Sequence, residues 1–262
     1  MALTRRVLLG AAISAGLWAW RSDASAEASK PTPGPDGFFA LDAAPASLKL
    51  AAPPAEPARA LAYNGGSPGP LLRIRKGETL KVRLRNKLSE PTTLSFPGLR
   101  AVNASAGIGG LTQPPIAPGA SFDIRFSPPD AGFNLYFPHA GAASGAQISG
   151  GLFGPIVVEE PSPPAVDLET IVVLSDWRLD PSGQIADLGQ ADLGRGAGRI
   201  GAALTVNSAL APLQSTAAPG ARVRLRLANA ATAPKTTSGK YLIGSLHRYK
   251  VGLVFASRDI KA

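Results

Sequence analysis

The chain has 262 residues, 45% of them hydrophobic, enough apolar material to bury a core in one large or two ordinary domains. It contains no cysteine, which excludes disulfides, zinc–thiolate and iron–sulfur sites and thiol catalysis. The 27 Lys and Arg against 18 Asp and Glu give a net charge of +9, but the basic residues alternate within strand-like runs or gather near the end without interleaved aromatics, so they describe a solvated face and no nucleic-acid site.

Residues 1–26 read as an export signal. Arg5 and Arg6 form a twin-arginine pair ahead of an apolar run at 7–20, and Ala24-Ser25-Ala26 supplies the small residues preferred at a cleavage site. That run is shorter than the roughly 18 apolar residues that span a bilayer, so no transmembrane anchor is expected after cleavage. The expected location is periplasmic or secreted.

The remainder reads as all-β. Leu72 and Ile74, then Leu80, Val82 and Leu84, alternate with polar residues around a turn at Lys76-Gly77-Glu78. Lys81, Arg83 and Arg85 fall on the opposite face as a basic ladder expected to serve solubility. Phe122, Ile124 and Phe126 repeat the alternation after Pro118-Gly119. Ile156-Val157-Val158 and Ile171-Val172-Val173-Leu174 are β-branched runs of the length of buried strands, and the Pro-rich segment 161–164 between them marks a domain boundary. The glycine-rich stretch at 194–198 has no strand leading into it and no helical pattern after it, so it reads as a flexible loop and not a phosphate cradle.

A repeat spans that boundary. Asn64 precedes Gly77 by 13 residues and Gly77 precedes Asn86 by 9, and Asn207, Gly220 and Asn229 have the same spacing. Between glycine and asparagine both copies alternate apolar and basic residues, as expected of two similar β domains.

Tyr63-Asn64-Gly65-Gly66-Ser67-Pro68-Gly69-Pro70, followed by Arg73-Ile74-Arg75-Lys76-Gly77-Glu78-Thr79, resembles the opening of the first domain of multicopper oxidases. Leu111-Thr112-Gln113-Pro114-Pro115-Ile116, Pro128-Pro129-Asp130-Ala131-Gly132 and Gly150-Gly151-Leu152-Phe153-Gly154 continue the match in the family's order. The resemblance implies Greek-key cupredoxin β-sandwiches: a complete domain at 27–160, the linker at 161–164, a partial second domain at 165–231 and an atypical basic tail at 232–262. It also implies copper held by paired histidines and a cysteine, with dioxygen as electron acceptor. The first His-x-His pair corresponds to Ser95-Phe96-Pro97, and the second to Phe137-Pro138-His139. His139 is therefore the one ligand position that keeps its imidazole, while Ser95, Pro97 and Phe137 replace the others.

With two histidines in all and no cysteine, the chain alone has too few nitrogen and sulfur donors for the family's copper centres. Copper is expected to be absent or substoichiometric. His139 has only Gln147 and backbone carbonyls as candidate co-ligands and reads as a remnant; His247 reads as a surface residue. Three functional expectations stand beside one another: a family member without oxidase activity, a copper-free structural or interaction protein of the same fold, and a subunit or fragment whose missing ligands come from elsewhere. A second sandwich lacking strands also leaves an edge for a protein partner to cover.

Overall fold

The computed structural model describes residues 31–100, 103–186, 201, 203–210, 213, 215–218, 220–231 and 255–256. The export segment with Arg5 and Arg6, the glycine-rich stretch at 194–198, His247 and most of the basic tail lie outside the described residues.

The first domain is a two-sheet β-sandwich. One sheet contains β1 (Phe39–Leu48), β2 (Ala58–Tyr63), β4 (Leu80–Asn86) and β5 (Ser121–Phe126) in the order β2-β1-β4-β5. The other contains β3 (Leu72–Arg75), β6 (Gly132–Tyr136) and β7 (Gly154–Glu159) in the order β3-β7-β6. Alternation decides which faces meet: Leu80, Val82 and Leu84 of β4 are fully buried, while Lys81, Arg83 and Arg85 point away. They pack with Phe39 and Leu41 of β1, Ile124 and Phe126 of β5, and Leu72, Ile156 and Tyr136 of the opposing sheet. Each such side chain contributes about 1.5–3 kcal/mol by leaving water.

The outward basic residues do more than the solvating role expected of them. Arg83 donates to Asp123 and Asp36 at 2.7 Å each and lies 4.5 Å over the Phe38 ring, while Arg85 donates to Asp42 at 2.6 Å. These pairs tie the start of the described chain to the sheet.

Beyond Pro161, β8 (Leu168–Trp177), β9 (Ala203–Val206) and β11 (Val223–Asn229) form a second sheet in the order β11-β8-β9. This arrangement repeats β4-β1-β2: β8 runs parallel to β11 and antiparallel to β9, as β1 does to β4 and β2. The landmarks of the sequence repeat have matching conformations. Asn64 and Asn207 have φ of 52° and 49°, Gly77 and Gly220 of 91° and 79°, the left-handed region where glycine and asparagine are favoured. The Asn64 side chain accepts from Asp42 N–H and donates to Ala40 C=O; that of Asn207 accepts from Val173 N–H and donates to Ile171 C=O. Asn86 and Asn229 each accept the N–H two residues on, an Asx turn that ends the strand. The short β10 (Ser215–Thr216) pairs in parallel with β12 (Phe255–Ala256), in the same sense as β3 with β7.

The two domains meet along a mixed seam. Leu48, Leu50, Ala58, Ala60 and Phe153 from the first domain bury against Val173 and Trp177 from the second. Phe133, Leu135 and Phe137 pack beside them. Gln184 satisfies the outer edge of β2, accepting from Arg59 N–H at 2.9 Å and donating to Pro57 C=O at 3.4 Å. Ser208 donates to the carbonyl of Ser67, and Arg73 reaches Glu169 at 2.5 Å. No helix among the described residues is long and apolar enough to cross a membrane.

Candidate metal centre

The positions that the resemblance assigns to ligands lie near one end of β6 and on the segment entering from Thr92. Ser95 and Phe137 form an antiparallel bridge, each N–H donating to the other's carbonyl at 2.9 and 3.1 Å. Directly opposed residues of such a bridge project to the same side, so Ser95 shares a face with Phe137. Leu94, Phe96 and Tyr136 point the other way, into the first core. The bridge thus sets Ser95 beside Phe137, while the residue meeting His139 is Thr93 and Pro97 lies in the turn beyond the bridge.

The surroundings of the four differ. Ser95 is buried, Pro97 and His139 are exposed, and Phe137 is half-buried against the seam. The main chain of His139 is fixed: its N–H donates to Thr93 Oγ1 at 2.8 Å and its carbonyl accepts from Gly109 at 2.9 Å. Gly107 lies against the ribbon so closely that a Cβ there would fall 1.8 Å from the Leu94 carbonyl oxygen, at a φ of 73°. Only glycine fits that crossing.

Gln147, considered above as a co-ligand of His139, is otherwise engaged. It lies on a short helix, α1 (Ser144–Gly150), fully buried; its carbonyl accepts from Thr92 Oγ1 at 2.7 Å and its amide donates to Pro91 C=O and Glu90 at 2.9 and 3.1 Å. Four carboxylates are likewise engaged, each with an arginine: Asp123 with Arg83, Asp130 with Arg100, Glu159 with Arg73 and Glu160 with Arg224. The Asp176-Trp177 step is a packing feature, with Trp177 buried in the seam and its indole N–H donating to Thr205 Oγ1 at 2.8 Å.

Gln113 was not singled out for its side chain. It is buried, and among the described residues neither its amide nitrogen nor its oxygen has a hydrogen-bond partner; Tyr63 Oη shares that condition. A glutamine in a Thr-Gln-Pro-Pro run carries no periodicity that would reveal this.

Copper is held in proteins by imidazole nitrogen and thiolate or thioether sulfur. The four positions carry one imidazole, a hydroxyl, a phenyl and a pyrrolidine, and no three His, Cys, Asp or Glu side chains converge among the described residues. This donor set does not fit the family's copper cluster.

A multicopper oxidase family profile matches residues 47–163. The chain is 35% identical over 177 residues to a copper resistance protein A homolog of Pseudomonas syringae pv. tomato, covering 65% of this chain and 28% of that protein. It is 35% identical over 154 residues to the multicopper oxidase MmcO of Mycobacterium tuberculosis, covering 58% and 29%. Among solved structures, a multi-copper oxidase from Pseudomonas thermotolerans superposes with a TM-score of 0.66 and 36% identity, covering 74% of this chain and 46% of that one. The chain spans about three tenths of the length of the curated relatives it matches. Profile, relatives and fold agree with the ordered motifs around Tyr63, Gln113 and Gly151, and the chain is similar in sequence and fold to the amino-terminal part of multicopper oxidases.

Proposed function

We propose that this chain is an exported cupredoxin framework protein of the multicopper oxidase family that does not, by itself, oxidise substrates through copper. The observation that supports this reading is that the positions the resemblance assigns to copper ligands carry one imidazole between them, His139, while Ser95 and Phe137 are joined main chain to main chain. In the family copper supplies electron transfer to dioxygen; here the residues at its positions supply packing and main-chain hydrogen bonds. The full chain, purified after expression in copper-supplemented medium and dialysed, should hold substoichiometric copper by elemental analysis and should not oxidise phenols or cuprous ion. One copper or more retained per chain would overturn the reading.

A second reading rests on the exposure of His139, which leaves its ring accessible to ligands from another chain. In that case copper would appear only in an oligomeric fraction and would depend on His139. Export through the twin-arginine route, to the periplasm or beyond, is part of the proposal and is supported by Arg5 and Arg6 ahead of an apolar run. Replacing both with lysine should trap the unprocessed chain in the cytoplasmic fraction. A protein partner over the second sheet is proposed on the exposure of Leu225 in β11, whose counterpart Val82 in β4 is fully buried; size measurement of the copurified material tests it.

A further inference from the structure

We infer that the outward side of β6 and its extension serves in this chain as part of the seam that holds the second domain, with Phe137 as the anchor at a position the resemblance assigns to a ligand. The inference rests on the copper-free reading above and goes beyond it, because it assigns that face a role. Phe133, Leu135 and Phe137 occur at alternate positions along β6 and its extension, so they share one side of the ribbon. All three pack on the cluster containing Val173 and Trp177, with Ile171, Leu179 and Ala230 of the second domain alongside.

A histidine at 137 would place a polar ring against this apolar cluster. The part of that ring turned into the cluster would lose water without gaining a partner, because the residues of the cluster offer hydrocarbon and one indole whose N–H is already donated to Thr205. Phe137 fills space and needs no partner. Metal ligation and seam packing thus make opposite demands on the same position, and the chain meets the second.

Full-length Phe137→His and Phe137→Leu test this. Native-state proteolysis in the presence of EDTA, followed at the 161–167 connection, reads domain docking without involving metal. Phe137→His should be cleaved roughly tenfold faster than wild type, about 1.4 kcal/mol of lost docking, while Phe137→Leu should stay within about threefold. Urea unfolding of the first core, followed by near-ultraviolet circular dichroism, confirms that Phe137→His remains folded; should it fail to fold, Phe137→Ala takes its place with the same expected acceleration. Equal cleavage of wild type and Phe137→His would overturn the inference. Copper stoichiometry of the wild type bears only on the copper-free reading, so the two can fail separately.

Discussion

Glu169→Gln is the sharpest test of how the domains are fastened. Glu169 accepts from Arg73 of β3 at 2.5 Å and from Arg226 of β11 at 2.7 Å, so one carboxylate links the first domain to two strands of the second. The Arg226 side chain is 7% exposed and that of Glu169 21%. Exposed pairs contribute at most about 1 kcal/mol, and breaking a fully buried pair costs about 3–5 kcal/mol, because the remaining charge is stranded. A cluster of intermediate burial in which glutamine keeps one acceptor falls between, at about 2 kcal/mol. Glu160, which accepts from Arg224 and lies 3.8 Å from Arg226, prevents a larger loss. In a chain of this size about 2 kcal/mol lowers Tm by about 4–8 °C. Thermal and urea unfolding at pH 7, at low salt and in 1 M NaCl, would measure it. A loss under about 0.5 kcal/mol, or one abolished by salt, would show the cluster to be ordinary surface pairing and would refute the fastening role.

Acid should act on the same cluster. Burial opposes the charge of Glu169, but hydrogen bonds from Arg226 and Arg73 outweigh it and hold the carboxyl below the usual glutamate range; Glu160 is held low mainly by Arg224. A depressed folded-state value contributes stability that is present above the unfolded value of about 4.3 and lost as pH falls through the folded one. The wild-type Tm should therefore fall between about pH 5 and 3 more steeply than that of Glu169→Gln. The repeat predicts matching costs for Asn64→Ala and Asn207→Ala, each losing two side-chain hydrogen bonds and placing alanine at positive φ, about 2–3 kcal/mol by urea midpoint. Tyr63→Phe removes a fully buried hydroxyl without a partner, so its stability should equal or exceed that of wild type by up to about 1 kcal/mol. Gly107→Ala should leave little folded protein in the soluble fraction, since its methyl would meet the Leu94 carbonyl.

Strands such as β4, β5, β7 and β8 were legible because each carries alternating or β-branched apolar residues that a sheet face demands. The strands β1 and β2 were not: they are built largely from alanine, which alternates in burial without announcing itself, and β1 contains Pro45. That proline is tolerated because β1 pairs with β4 only as far as Ala43, leaving one edge free of ladder bonds where the missing N–H would lie. The helix α1 was hidden by Ser144, Gly145 and Gly150, poor helix formers held in place by the buried hydrogen bonds of Gln147.

For the candidate site, the resemblance assigns four positions to ligands but says nothing of their surroundings. Ser95, Pro97 and Phe137 look like equivalent losses in one dimension. In three they separate into a buried residue bonded through its main chain, an exposed ring and a seam residue. The difference arises from Val173 and Trp177, some forty residues beyond Phe137, and no local pattern encodes a contact across a domain boundary. At a position that the resemblance assigns to a ligand and that packs on a second domain, metal binding and packing would both constrain the residue, and without metal-binding partners only the packing constraint remains. Phenylalanine at 137 satisfies it, whereas serine suffices at 95, where the ribbon's own backbone takes up the hydrogen bonds.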